Sequence, residues 1–252
     1  MKLALRGSMA YLAVGLAVSA FRITKVPLSF SALAAVFCVF CVARLQNDWR
    51  DRHHDIGKGK LLATERPVLF LTGLLAAWMV CGALIAATAT HHLQTALLLC
   101  AMALAALLYS ETRRLQWVPI SLSALTSASP VFLPATVEPG AQWMLPLFAA
   151  AALLIFGREI LKDLEDRRID GGYKWTIPLA YGDRTAKWLV IASVAGAAVA
   201  AAAISPFGIA GVCVVGIGLL LFSRDTSPAM AMHWLDAGAA LVIGALVMFP
   251  PR

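Results

Sequence analysis

The sequence predicts an all-α integral membrane protein whose helices cross the bilayer several times. The chain has 252 residues, of which 60% are hydrophobic and only 14% are charged. Its mean hydropathy is +0.79, and long stretches of Ala, Leu and Val carry no charge at all. Because a helix that spans a bilayer needs roughly 20 apolar residues, these stretches indicate membrane spans along the whole chain.

Nine apolar stretches with at most one charged residue each are candidate transmembrane spans. In chain order they cover residues 9–21, 26–43, 69–88, 93–109, 117–135, 143–156, 186–204, 206–222 and 229–249. The first and the sixth are short for a bilayer, so we expect them to extend into their flanks. The fifth contains Pro119, Pro130 and Pro134, which are expected to break or kink it because proline disrupts helix hydrogen bonding.

The N-terminal segment has a second interpretation. Two basic residues, a short apolar stretch and a small-residue "VSA" also resemble a cleaved secretory signal. More membrane follows instead of an exported domain, which favours a first transmembrane helix. The other spans are the same under either interpretation.

The basic residues predict the orientation, because short cytoplasmic loops collect Lys and Arg. With the N-terminus inside, all of the 21 Lys and Arg residues except Arg22, Lys25 and Arg252 lie on the cytoplasmic side. We therefore expect a multi-pass protein of the cell (inner) membrane. The lipid bilayer, and no nucleic acid, is expected among its partners.

Two acidic motifs share the spacing D-x-x-D-x-x-x-D, and each follows an apolar run. The first is "NDWRDRHHD" at residues 47–55 and the second is "DLEDRRID" at residues 163–170. Spacings of three and four place side chains on one face of a helix, where like charges repel. Four predicted spans separate the motifs, so both are expected on the same side of the membrane. Each follows an even-numbered span, which indicates a single domain, 1–252, with two similar halves, about 1–115 and 116–252.

Either motif alone is explained by a solvated loop in which neighbouring arginines neutralise the acids. Two motifs of matched position favour a divalent cation instead. Mg²⁺ takes oxygen ligands and is normally held by one or two carboxylates together with substrate phosphates. The sequence thus predicts two carboxylate faces that grip a diphosphate through Mg²⁺ across a cavity.

A prenyl diphosphate suits this environment, because its headgroup meets the metal while its hydrocarbon chain lies among apolar helices. The Lys and Arg residues of the cytoplasmic rim suit phosphate oxygens, although the orientation rule and lipid headgroups account for part of them. Metal and cations would stabilise the departing pyrophosphate. A bound nucleophile would then capture the allylic cation.

These residues resemble the UbiA superfamily of intramembrane prenyltransferases. Its two hallmarks, N-D-x-x-D-x-x-x-D after the second helix and D-x-x-D-x-x-x-D after the sixth, occur here without a mismatch. Three further segments are similar to family motifs: "ERPV" at 65–68, "YSETRR" at 109–114 and "TIPLAYG" at 176–182. The loop before Arg66 lacks the Asn that often precedes R-P-L in this family.

The resemblance implies a UbiA-like bundle of about nine helices around a central cavity with a cytoplasmic cap. It implies Mg²⁺ as cofactor and transfer of a prenyl group, an alkyl group other than methyl, from its diphosphate to a lipophilic acceptor. The metal-binding residues would be Asn47, Asp48, Asp51, Asp55, Asp163, Asp166 and Asp170. The catalytic subset would be Asp51, Asp55, Asp166 and Asp170. The substrate-binding candidates are Asn47, Lys58, Lys60, Arg66, Tyr109, Arg113, Arg114, Arg158, Glu159, Lys162 and Lys174.

The segment "REILKDLED" resembles the branch with R-E-x-x-K-D-x-x-D, which includes homogentisate prenyltransferases and digeranylgeranylglyceryl phosphate synthases. The resemblance does not name the acceptor, for which an aromatic quinone precursor and a prenylglycerol phosphate are both candidates. Two alternatives stay open: a terpene cyclase of the same superfamily, which needs no acceptor, and a membrane transporter. The span centres lack the acidic residues that mark ion paths, apart from Asp236 beside His233, which disfavours the transporter.

Overall fold

The computed structural model describes residues 8–54, 56, 61–138, 144–171, 173–204 and 227–248. All regular secondary structure in these ranges is helical, so the all-α prediction is confirmed. The long helices are α1 (Ser8–Thr24), α2 (Phe30–Arg50), α3 (Pro67–Ala89), α4 (Leu93–Glu111), α5 (Val118–Ala128), α6 (Met144–Asp170), α7 (Ile177–Ala202) and α8 (Pro228–Met248). A single helical turn, Leu62–Glu65, precedes α3.

Within the described ranges, five helices are long and apolar enough to cross a membrane, namely α2, α3, α4, α6 and α7. The protein is therefore a multi-pass membrane protein. The predicted span 206–222 lies outside the described residues, so the count of nine helices stays a prediction.

Local sequence signals set several helix boundaries. Ser29 precedes α2 and its Oγ accepts a hydrogen bond of 3.4 Å from the backbone N of Ala32. Thr176 caps α7 in the same way, with 3.4 Å between its Oγ1 and the backbone N of Leu179. Such caps satisfy N–H groups that have no partner within the helix. Pro67 occupies the first position of α3, where a helix does not need the missing N–H.

The predicted spans 117–135, 143–156 and 186–204 differ from the helices observed there. α5 ends at Ala128 and continues as two 3₁₀ turns, Ser129–Phe132 and Pro134–Thr136, because two prolines interrupt the α-helical pattern. α6 runs beyond residue 156 to Asp170, and α7 begins at Ile177 instead of residue 186. The added turns are charged, which is why hydropathy did not include them.

The helices form a closed ring in which α1, α2, α4, α5, α6 and α8 contact in that order and α8 returns to α1. α3 packs outside α2 and α4, while α7 packs outside α6. One apolar cluster contains mainly residues of α1, α2, α3 and α4, and another contains residues of α5, α6, α7 and α8. A third, which includes Leu16, Val131 and Met144, connects the two halves. The ring leaves room for a central cavity.

Candidate active site

A cavity of about 140 Å³ lies where α2, α4 and α6 end and α5 and α7 begin. Both acidic motifs contribute to its wall. Asn47 and Asp51 come from the first motif, and Asp163 and Asp166 come from the second. The fold thus brings together residues that are far apart in the chain.

Asp51, the residue that follows α2, is held by a network from three segments. The Arg113 guanidinium forms an ion pair with its carboxylate, and the Tyr173 hydroxyl donates a 2.8 Å hydrogen bond to Oδ1. Asn47 Nδ2 donates to Oδ2 at 3.1 Å. Arg113 also donates to Asn47 Oδ1 at 2.9 Å and to the Tyr173 hydroxyl at 2.8 Å. Because Arg113 is only 8% exposed, water screens this network weakly.

The second motif is also paired with cations. Lys174 Nζ donates to Asp163 Oδ1 at 2.9 Å, and Lys162 Nζ donates to Glu159 Oε2 at 3.3 Å. All four side chains line the cavity with Asp166. The loop after α6 therefore places Tyr173 on the first motif and Lys174 on the second.

Several predicted site residues lie elsewhere. Asp48 is paired with Arg44, at 3.4 Å between Oδ1 and Nε, and is not among the residues that line the cavity. Arg66 is exposed at the start of α3, and Arg114 lines a neighbouring surface cavity. Asp55, Lys58 and Lys60 lie outside the described residues. Asp170 ends α6, but its side chain is outside the described part.

The donor set fits Mg²⁺ that binds together with a substrate. Among the described residues, no three acidic, His or Cys side chains are already close enough to enclose an ion. However, Asn47, Asp51, Asp163 and Asp166 present one amide and three carboxylate groups to a single cavity. Mg²⁺ typically uses one or two carboxylates and completes its shell with water and phosphate oxygens, so a preformed cage is not required.

A second, more apolar cavity continues from the first. The two share Arg44, Asn47, Tyr109, Glu159 and Lys162 in their walls. Beyond that junction, the second cavity is lined mostly by small or apolar residues of α1, α2, α4 and α5: Met9, Phe40, Ala43, Ala105, Ala106, Leu122, Ser123, Thr126 and Ser127. The space is therefore polar at one end and apolar at the other.

Sequence reasoning missed Tyr173 and the partner of Asp236. Tyr173 lies in a loop without periodicity, so only its position just after the second motif could have pointed to it. Asp236 could have bonded to His233, three residues away. Instead it accepts hydrogen bonds from Arg158 of α6 at 2.7 and 3.2 Å, while His233 is exposed.

Comparisons with known proteins agree with this architecture. The model of the UbiA prenyltransferase family matches residues 8–246. A structure of digeranylgeranylglyceryl phosphate synthase is similar at 16% identity, with a TM-score of 0.69 over 98% of both chains. An apo UbiA homolog from Aeropyrum pernix K1 is 19% identical, with a TM-score of 0.69 over 96% of both chains.

A UbiA homolog from Archaeoglobus fulgidus bound to GPP and Mg²⁺ is also 19% identical, with a TM-score of 0.67 over 98% of both chains. At these identities the structures show a shared fold. No curated protein matches the sequence.

Proposed function

Since the chain belongs to the UbiA prenyltransferase family, we propose that it is a Mg²⁺-dependent intramembrane prenyltransferase that moves a prenyl group from a prenyl diphosphate to a lipophilic acceptor. One observation carries the proposal. The cavity that both acidic motifs line continues into an apolar cavity through a shared wall. A molecule with a charged head and a hydrocarbon tail is complementary to that space.

The diphosphate end would lie between the two motifs. Asn47, Asp51, Asp163 and Asp166 would hold Mg²⁺, which when bound neutralises the phosphate oxygens and stabilises the departing pyrophosphate. Without these carboxylates, the chain would offer the headgroup only its basic residues.

Arg113 and Lys174 would take part in headgroup binding. Both are now paired with carboxylates of the motifs, which keeps buried charges compensated. When the headgroup binds, the guanidinium and the ammonium group can turn to phosphate oxygens, since both suit such acceptors. When these two cations turn to the phosphate, the carboxylates of Asp51 and Asp163 become available to the metal.

The hydrocarbon chain would occupy the apolar cavity, whose lining includes the small side chains of Ala43, Ala105 and Ala106. At the junction of the two cavities, the bond between the allylic carbon and the diphosphate oxygen would break, and the oxygen would keep the electron pair. Apolar walls exclude water, which would otherwise capture the allylic cation. Tyr109 lies at the junction of the two cavities, beside the expected position of the reacting carbon.

The acceptor would be bound at the same junction by Glu159 and Lys162. Glu159 is 8% exposed and its carboxylate is held by Lys162. An acceptor hydroxyl can donate a hydrogen bond to this carboxylate and pass its proton there as the new bond to the prenyl carbon forms. Similarity to the branch with R-E-x-x-K-D-x-x-D favours an aromatic quinone precursor or a prenylglycerol phosphate.

The site would face the cytoplasm of the cell (inner) membrane. The ends of α2, α4 and α6 meet at the polar cavity, and the Lys and Arg bias assigns those ends to the cytoplasmic side. The N-terminus is then inside. One domain with two similar halves, about 1–115 and 116–252, would provide one motif from each half.

The test is turnover by the purified protein with labelled prenyl diphosphates, Mg²⁺ and each acceptor class. We expect pyrophosphate release that depends on the acceptor and is lost in Asp51→Asn and Asp163→Asn. Asp183→Asn is the control, because Asp183 forms a half-exposed ion pair with Arg167 away from the cavity. A cyclic product without acceptor would instead identify a terpene cyclase. Full activity of Asp51→Asn would refute the metal site.

A further inference from the structure

The last helix contributes a buried charge next to the junction of the two cavities. Asp236 of α8 accepts a hydrogen bond of 2.7 Å from Arg158 Nε and another of 3.2 Å from Arg158 Nη2. The side chains are only 14% and 19% exposed for Arg158 and Asp236, respectively. A guanidinium and a carboxylate that meet through two parallel bonds fix each other's orientation.

Arg158 lies beside Glu159 but does not form a hydrogen bond with it. The distance from Arg158 Nη1 to Glu159 Oε1 is 3.8 Å, which is too long for such a bond. Glu159 accepts from Lys162 instead. The result is an alternating series of charges across the wall, in the order Asp236, Arg158, Glu159 and Lys162.

Of these four residues, Glu159 and Lys162 reach the two cavities. Glu159 and Lys162 line both cavities, whereas Arg158 and Asp236 are not among the residues that line either. Among the described contacts, Arg158 is the residue that links Asp236 to Glu159 at the junction.

We infer that Asp236 is a positioning residue that holds the Arg158 guanidinium beyond hydrogen-bond distance of Glu159, at 3.8 Å, and so leaves the Glu159 carboxylate available to the acceptor. The inference rests on the proposed function, because it takes Glu159 as the acceptor contact. It adds α8 to the acceptor site and makes Asp236 a determinant of acceptor affinity.

Loss of the Asp236 charge has a specific consequence. In Asp236→Asn, Arg158 loses a charged bidentate partner, and the adjacent carboxylate of Glu159 is 3.8 Å away. Loss of the nearest carboxylate is unfavourable for a buried cation, so we expect the guanidinium to close the remaining distance to Glu159 and to form a hydrogen bond with it. That carboxylate is then occupied by two cations, and the acceptor loses its hydrogen-bond partner.

The readout is the acceptor KM compared with the prenyl diphosphate KM. For Asp236→Asn we expect the acceptor KM to rise roughly 10- to 100-fold, the range for losing a hydrogen bond to a charged group. The prenyl diphosphate KM should stay within about twofold, since the headgroup contacts are untouched. Asp236→Glu, which keeps the carboxylate, should fall between the wild type and Asp236→Asn.

A double variant separates positioning from packing. In Asp236→Asn with Arg158→Gln, no guanidinium remains to cover Glu159, so the acceptor KM should return towards the wild-type value. If Asp236 and Arg158 only contributed to packing, the second substitution would raise the acceptor KM further. An acceptor KM in the double variant equal to or above that of Asp236→Asn would overturn the inference.

Folding is checked by thermal unfolding in detergent, with Asp183→Asn as the matched control on the exposed Arg167 pair. If Asp236→Asn does not fold, Arg158→Lys tests the positioning role instead. It keeps the positive charge but loses the planar guanidinium that bonds Asp236 through two nitrogens. Arg158→Lys should raise the acceptor KM and leave the prenyl diphosphate KM unchanged. An inactive wild type would overturn the proposed function and this inference together, whereas an active wild type with an unchanged acceptor KM in the variants would overturn only the inference.

Discussion

The Tyr173 hydroxyl donates a 2.8 Å hydrogen bond to Asp51 Oδ1 and so ties the loop after the second acidic motif to the first motif. The same hydroxyl accepts from Arg113, and its ring makes an edge contact with His54, with 3.5 Å between ring centroids. One phenol in the loop after α6 therefore contacts Asp51, His54 and Arg113 at the ends of α2 and α4.

Removing that hydroxyl should weaken the connection between the loop after α6 and the first motif. For Tyr173→Phe we expect a loss of roughly 1 kcal/mol in the free energy of unfolding, the usual net value of a buried hydrogen bond. The kcat/KM for the prenyl diphosphate should fall several-fold, since Asp51 is less firmly placed. Thermal unfolding and steady-state kinetics measure the two effects. Tyr181→Phe, at an exposed position, should change neither, and equal effects of both substitutions would contradict the role of Tyr173.

Under the proposed exchange of partners, Lys174 would compete with the metal for Asp163, so its removal should affect metal binding and prenyl diphosphate binding in opposite directions. In Lys174→Met the Asp163 carboxylate loses its 2.9 Å partner, and we expect tighter binding of Mn²⁺, used as a spectroscopic substitute for Mg²⁺. The prenyl diphosphate KM should rise roughly tenfold, because a phosphate contact to a cation is lost. Metal titration by electron paramagnetic resonance and kinetics check both. Weaker metal binding would argue against the exchange of partners.

The glycine that ends the "TIPLAYG" segment has a conformational role. Gly182 lies at a kink in α7 with φ 82° and ψ 164°, a region that is essentially restricted to glycine. A Cβ there would meet no atom within 4 Å, so any penalty comes from the backbone. Gly182→Ala should lower the free energy of unfolding by about 1–3 kcal/mol.

Gly73 is the matched control, because it lies within α3 with open space around it. Gly73→Ala should be neutral or stabilise by about 0.5–1 kcal/mol, since alanine suits a helix interior better. Melting temperatures in detergent compare the two variants. A Gly182→Ala protein as stable as Gly73→Ala would show that α7 does not need the kink.

Much of this architecture is predictable because membrane insertion and charge are strong, local signals. Apolar runs indicated the five long helices of the described residues that could cross a membrane. Of the two acidic motifs, Asn47, Asp51, Asp163 and Asp166 line one cavity. The pairings were not predictable. Arg113, which follows α4, pairs with Asp51 at the end of the neighbouring helix α2. Asp236 bonds to Arg158 on another helix instead of a neighbour in sequence. Such contacts depend on the closed ring, which no periodicity encodes.

The length of the apolar cavity should set the prenyl chain that the protein accepts. Ala106 of α4 lines that cavity and is largely buried, so Ala106→Leu adds volume where the hydrocarbon would lie. Since the packed wall cannot readily yield, we expect the preferred diphosphate to shorten by about one isoprene unit, with a loss in kcat/KM of roughly tenfold or more for the longer chain. Leu104→Met on the exposed face of the same helix is the control, and substrate competition assays with diphosphates of increasing length give the readout. If Ala106→Leu kept the wild-type preference, the hydrocarbon would have to lie outside the space between α1, α2, α4 and α5, and the amphipathic complementarity on which the proposed substrate depends would be lost.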